Sequence, residues 1–165
     1  MKATSSASDT TKFVISELEA LLEQGNAHAT FENAVKGIPQ KLLGVVPKDA
    51  AHSLWQLIEH IRITQWDILE FSKGPDHQSP SWPDDYWPKN PAPPDAHSLK
   101  KTLDQISADR KEFIQLLHAA GPAIYTPFPH GDGQSLFREA LVLADHNSYH
   151  TGEIILLRRI LGDWG

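Results

Sequence analysis

Two histidines four residues apart, His146 and His150, are the first residues of this 165-residue sequence that point to chemistry. On an α-helix this spacing puts both imidazoles on one face, with Cβ atoms about 6 Å apart. Two imidazoles placed in this way can bind one metal ion, as they do in the helix motif of zinc proteases. The sequence holds nine histidines, so position must add to the spacing. Both histidines share a helix face with Leu143 and Leu157, where a buried imidazole needs a polar partner.

A useful metal site requires a third ligand, and His60 is the best candidate. It lies in a second helical stripe, among Leu57, Ile58 and Ile61. A histidine in such a stripe is more often a hydrogen-bonded core residue, but the paired histidines elsewhere favour a ligand. The other six histidines are interpreted as helix-end or loop residues, with one of them (His130) also a candidate for lining a pocket: His28, His52, His77, His97, His118 and His130.

The residue types exclude several other kinds of site. The sequence has no cysteine, which excludes disulfides, thiolate zinc sites, iron–sulfur clusters and cysteine nucleophiles. A ferritin-like centre needs Glu three residues before a ligand histidine, and those positions are Leu57, Leu143 and Asn147. A zinc protease needs Glu after the first histidine, and Asn147 stands there. Three imidazoles would leave a coordination position open, which is typical of catalytic metal sites.

The charge and composition indicate the general class of protein. The formal net charge is −6, which argues against binding to nucleic acid or an anionic membrane through bulk charge. The apolar fraction of 40% is sufficient for one core, so we predict a single domain over residues 1–165, with residues 1–8 disordered. The sequence has no apolar run near the ~20 residues that span a bilayer. Its polar N-terminus lacks the pattern of a signal peptide, so we expect a cytoplasmic protein.

The pattern of apolar residues predicts four long helices and one short helix, and no run of alternating β-branched residues predicts a sheet. We therefore expect an all-α helix bundle. The predicted long helices cover about Asp9–Gln24, Asp49–Phe71, Asp95–Ala120, and a stretch from Asp132 or Ser135 to Leu161; the short helix covers Thr30–Val35.

Residues 75–94 differ in composition, because they contain seven of the twelve prolines. Each proline removes a donor and clashes with the preceding turn, so this segment is predicted to be a long loop. Its aromatic residues, Trp82, Tyr86 and Trp87, predict that it packs on the bundle. They would either pin the loop or line the mouth of the metal pocket and help to select a hydrophobic substrate.

Two segments resemble the DinB-like superfamily, which includes the YfiT-type proteins. Residues 52–61 (HSLWQLIEHI) resemble the second helix of that family, and residues 146–159 (HNSYHTGEIILLRR) resemble its last helix. The resemblance implies an up-down-down-up four-helix bundle that forms a homodimer. It also implies one divalent metal ion, nickel or zinc, held by His60, His146 and His150.

The same resemblance implies two kinds of reaction on a small-molecule substrate. Some members transfer a small thiol such as bacillithiol, mycothiol or glutathione to electrophiles, and others are regarded as metal-dependent hydrolases. A non-catalytic binding or stress-response module is the alternative from another class. Glu153 stands where many members have glutamine. Glu153 and Asp67 are candidates for a general base or for a residue that orients a metal ligand. The alternative is that both are surface ion-pair residues. Tyr149 is a candidate for substrate binding, packing or a hydrogen bond beside the metal.

Overall fold

A computed structural model of the chain describes residues 7–165. Within this range the fold contains five α-helices, three short 3-10 segments and no β-strand. Residues 1–6 of the segment predicted to be disordered lie outside the described part, and Ala7 begins the first helix. The α-helices are α1 (Ala7–Gln24), α2 (Phe31–Val35), α3 (Leu54–Lys73), α4 (Ser98–Ala120) and α5 (Leu136–Ile160), and the 3-10 segments are Gln40–Leu42, Asp84–Tyr86 and Gly121–Tyr125.

Serine side-chain caps mark the beginnings of α3 and α5. The prediction that the second long helix starts near Asp49 was wrong, because Asp49 has a φ of 67°. Ser53 caps α3 instead, in a reciprocal capping box with Gln56. Similarly, α4 begins at Ser98 rather than at Asp95, whose side chain accepts from the backbone N–H of His97. The side chain of Ser135 caps α5.

The apolar stripes of the helices meet in two clusters of buried side chains. α3 lies against both α4 and α5, and α1 packs on α5 and on the 3-10 segment Gly121–Tyr125. One cluster surrounds Ile58 and Ile61 of α3, and the other surrounds Phe113 of α4 and Leu143 of α5; all four are completely buried. None of the helices in residues 7–165 combines the length and hydropathy required to cross a bilayer. The packing holds α3 and α5 side by side, and these are the two helices that carry the predicted ligands.

The proline-rich segment, residues 75–94, is hydrogen-bonded along α3. The backbone carbonyl of Pro88 accepts from Nε2 of Gln56 at 2.8 Å, and that of Pro91 accepts from Oγ of Ser53 at 2.5 Å. Tyr86, near the middle of the segment, is 7% exposed. The loop therefore runs over the part of α3 that contains His60.

Candidate metal centre

Three histidines from two helices meet between α3 and α5. Nε2 of His146 lies 3.0 Å from Nε2 of His60, and one nitrogen from each of His60, His146 and His150 falls within 4.8 Å of the other two. His60 and His150 are 2% and 7% exposed, and His146 is half-buried. The spacing of His146 and His150 on one helix face thus brings both of them to the third histidine.

The outer ring nitrogens of two histidines have oxygen partners. Nδ1 of His60 lies 2.9 Å from the carbonyl oxygen of Tyr86, and Nδ1 of His150 lies 2.6 Å from Oε2 of Glu153. An oxygen at that position requires Nδ1 to carry the proton, which leaves the lone pair on Nε2. Nδ1 of His146 has only a distant neighbour, Oδ1 of Asn147 at 3.4 Å. Such outer hydrogen bonds are the ordinary way in which proteins orient metal-binding imidazoles.

The surroundings keep the three imidazoles neutral. Burial, followed by the nearby imidazoles of His150 and His60, lowers the pKa of His146 to about 4. Burial, followed by His60 and His52, lowers the pKa of His150 to about 4. Burial also lowers the pKa of His60, and the hydrogen bond to the carbonyl of Tyr86 partly opposes that shift. Neutral imidazole is the form that binds a metal ion.

Trp87 covers one face of the cluster. Its ring is stacked on His60 with centroids 3.8 Å apart and planes 7° apart, and on His52 with centroids 3.7 Å apart. The indole therefore lies between two imidazoles and fixes the ring plane of His60. His52, interpreted from the sequence as a helix-end residue, precedes the capping Ser53 and supports this stack.

The carboxylate of Asp67 hydrogen-bonds to residues of the proline-rich loop rather than to the three clustered histidines. Its Oδ2 accepts from the hydroxyl of Tyr86 at 2.6 Å, and its Oδ1 lies 2.7 Å from Nε2 of His77. Both carboxylate oxygens are occupied, and the side chains of Asp67 and His77 are largely buried. Burial and the hydrogen bond to Asp67 raise the pKa of Tyr86, so its hydroxyl stays protonated. Asp67 therefore anchors the residue whose carbonyl orients His60.

The other sequence candidates lie at different distances from the cluster. Glu153 contacts His150 directly and is 40% exposed. Tyr149 is 66% exposed and meets the ring of His150 edge-on, with centroids 4.9 Å apart. Trp82 is 72% exposed and contacts Tyr86. Of the two candidate tryptophans, only Trp87 touches a histidine of the cluster in the described structure.

Sequence reasoning missed the backbone carbonyl of Tyr86 and the contribution of His77. A backbone carbonyl leaves no mark in the residue type, so no sequence signal indicates that of Tyr86. A weak signal existed for His77, because an imidazole in a loop rich in aromatic residues needs a partner once it is buried. Its partner, Asp67, is ten residues away on a different element.

The donor set fits a divalent transition metal. Two nitrogens bound to one zinc ion at about 2.0–2.1 Å lie roughly 3 Å apart, which is near the separation of Nε2 in His60 and His146. Neutral imidazoles suit zinc, nickel, copper and iron. The outer partners of His60 and His150 are already in place. The three histidines can therefore hold a metal ion.

Comparison with known proteins gives the family. A protein-family model described as the DinB superfamily matches residues 25–154, which is most of the chain. The chain belongs to the DinB superfamily. The matched range of this DinB-superfamily protein contains His60, His146 and His150 together with the loop that carries Tyr86 and Trp87. No curated protein and no solved structure matched the chain.

Proposed function

We propose that this DinB-superfamily protein binds one divalent metal ion, nickel or zinc, through His60, His146 and His150, and transfers a small thiol to an electrophilic small molecule. The single observation that carries the metal site is the meeting of three imidazole nitrogens within 4.8 Å, from α3 and α5. Metal-dependent hydrolysis is the second candidate, since a metal ion held by three imidazoles would have an open coordination position for a water molecule. A structural metal in a non-catalytic module is the third.

The chain's own residues supply positioning and proton handling in this proposal. When bound, a divalent ion supplies a Lewis acid with an open position for a thiol sulfur or a water. Tyr86 and Glu153 hold the Nδ1 protons of His60 and His150, so that Nε2 is the ligand atom. Trp87 shields one face of His60 from solvent. In the transfer, a carbon–sulfur bond forms, the leaving group departs with its electron pair, and the thiol proton is released, with Glu153 as the candidate acceptor.

Elemental analysis of protein purified without a chelating tag tests the metal site. We expect about one equivalent of metal in the parent and little in His150→Ala, because two imidazoles bind far less tightly than three. His97→Ala is the matched control, since His97 is exposed at the start of α4. Absence of bound metal after reconstitution with zinc and nickel would exclude the metal-dependent functions.

Activity assays separate the three candidate functions. The metal-loaded parent is incubated with glutathione, bacillithiol or mycothiol and a chloro-dinitrobenzene electrophile, and in parallel with nitrophenyl esters. We expect thioether formation that His150→Ala lacks. Ester hydrolysis without thioether formation would favour the hydrolase. Neither activity in a fully loaded protein would favour the structural role.

The arrangement of the chain and its copies belongs to the same proposal. We place α1, α3, α4 and α5 in the up-down-down-up order of a single four-helix domain in a cytoplasmic protein.

A stripe along α5, formed by Val142, Tyr149, Leu156 and Ile160, is 42–66% exposed and follows a heptad-like spacing. A second copy of this chain is the proposed occupant. Light scattering after gel filtration should show a dimer that Leu156→Glu dissociates. Phe13→Glu, at a position of α1 that is 65% exposed, should leave the dimer intact.

A further inference from the structure

A cavity lies on the face of α5 turned away from the cluster of His60, His146 and His150, none of which lines it. Its volume is about 400 Å³, and it is bounded by α1, the α1–α2 connection, α2, α4 and α5. The α5 residues on its wall include Asn147, Ser148 and Thr151. At 100° per residue these positions lie about 100–200° around the helix from His146. The cavity is therefore separate from the candidate metal centre, and we call it the Arg110 cavity after its most buried charged group.

Arg110 lines this cavity, and not all of its hydrogen-bond donors have partners. Its side chain is 12% exposed, and Nη2 donates to Oε1 of Glu32 at 2.5 Å. In the described structure Nε is buried without a partner, and Nη1 makes no hydrogen bond. A guanidinium has five N–H donors, and buried donors without acceptors are costly. An acceptor with two oxygens, such as a carboxylate, is the group that matches this fork.

The rim of the Arg110 cavity carries the opposite charge. Glu23, Glu32 and Asp145 line it, and all three are exposed. Three carboxylates against one guanidinium would repel a ligand that is only anionic. A ligand that also carries an ammonium group would instead be attracted at the rim.

The rest of the Arg110 cavity wall consists of polar residues, which are His28, Thr30, Asn147, Ser148 and Thr151, together with Gly25 and an apolar surface. Leu21, Leu22, Phe31, Leu141 and Ala144 supply the apolar surface. Such a surface favours burial of a hydrocarbon side chain. A volume of about 400 Å³ lies at the small end of the range for ligand pockets, which is suitable for a molecule of about ten heavy atoms.

We propose that the Arg110 cavity binds a free α-amino acid with an apolar side chain. The ligand's carboxylate pairs with Arg110, its ammonium group lies toward the rim carboxylates, and its side chain packs on Leu22 and Phe31. This arrangement accounts for the largely buried guanidinium, the acidic rim and the apolar part of the wall together. It does not depend on the metal centre.

Calorimetric titration of the metal-loaded protein with leucine and phenylalanine tests the site, with two analogues of leucine beside them. Leucinamide lacks the carboxylate and N-acetylleucine lacks the ammonium group. We expect leucine or phenylalanine to bind, and each analogue to bind at least about tenfold more weakly, because one charge-assisted contact is lost. Equal binding of leucine and leucinamide, or no binding of either amino acid at millimolar concentration, would overturn the proposal.

Variants separate the Arg110 cavity from chelation at the metal centre. Arg110→Met should abolish binding of leucine, and Arg110→Lys, which keeps the charge but not the fork, should weaken it about tenfold. Arg138→Met is the matched control, since Arg138 is exposed at the start of α5. His150→Ala should bind leucine as the parent does. Binding that is lost in His150→Ala but retained in Arg110→Met would place the amino acid on the metal and overturn the proposal.

Discussion

Oε2 of Glu153 lies 2.6 Å from Nδ1 of His150, one turn further along α5. A carboxylate in this position holds the Nδ1 proton, fixes the tautomer, and makes Nε2 a better ligand. The same helix therefore supplies two candidate ligands and the group that orients one of them. The carboxylate is also 40% exposed, so it can exchange protons with solvent.

Replacement of Glu153 should lower the metal affinity, and the loss should be larger when the hydrogen-bond acceptor for Nδ1 of His150 is removed completely. We expect Glu153→Ala to reduce metal affinity by about tenfold or more. Glu153→Gln should lose less, because its amide oxygen still accepts from Nδ1 of His150. Competition with a fluorescent zinc chelator measures both affinities, with Glu17→Ala, at an exposed position of α1, as the control. Unchanged affinity in Glu153→Ala would show that this contact does not orient the ligand.

Removal of the Tyr86 hydroxyl should loosen the loop that orients His60. Tyr86→Phe breaks the 2.6 Å hydrogen bond to Asp67 and leaves a largely buried carboxylate with His77 alone. We expect a loss of about 1–3 kcal/mol in the free energy of unfolding, measured by urea denaturation. Metal affinity should fall as well, although no ligand has changed. Tyr125→Phe, at a tyrosine that is 45% exposed, is the control and should change neither quantity.

Replacement of Trp87 by leucine should reduce stability and metal binding much more than the same replacement of Trp82. Trp87→Leu removes the stack on His60 and His52, so we expect roughly 1–3 kcal/mol of destabilisation and weaker metal binding. Trp82 is 72% exposed, and Trp82→Leu should cost less than about 0.5 kcal/mol. Quenching of tryptophan fluorescence by nickel gives a second measurement. Quenching should persist in Trp82→Leu and largely disappear in Trp87→Leu; the reverse pattern would contradict this description of the site.

The metal-free protein should lose stability as the pH falls from about 6.5 toward 4. Unfolded histidines bind protons below about pH 6.5. In the fold, the pKa of His146 and of His150 is about 4. The unfolded state thus binds more protons in this interval, and the free energy of unfolding decreases as the pH is lowered. Denaturation at a series of pH values should show this slope.

A variant that lacks one of these histidines checks the origin of the slope. His146→Gln should have a shallower dependence between pH 6.5 and 4, because it removes one group whose pKa is lowered by folding. His97→Gln serves as the control, since His97 is exposed. An unchanged slope in His146→Gln would assign the pH dependence to other groups.

Local patterns in the sequence were sufficient to predict the helices and to select the candidate metal ligands. Leu57, Ile58 and Ile61 mark the buried stripe of α3, and the spacing of His146 and His150 follows directly from 3.6 residues per turn. The prolines of residues 75–94 excluded a helix there for an equally local reason. The exact start of α3 was missed, because the choice between Asp49 and Ser53 depends on cap geometry.

Only the tertiary structure decided what surrounds the ligands. The path of the loop brings Tyr86 and His77 to the carboxylate of Asp67. It also places the ring of Trp87, rather than that of Trp82, against His60 and brings the backbone carbonyl of Tyr86 to the same histidine. Every residue has a carbonyl, so its role cannot be read from side-chain type. The Arg110 cavity likewise needs α1, α2, α4 and α5 together. Periodicity along one helix fixes which residues share a face, whereas contacts between distant segments are set by the packing of the whole chain.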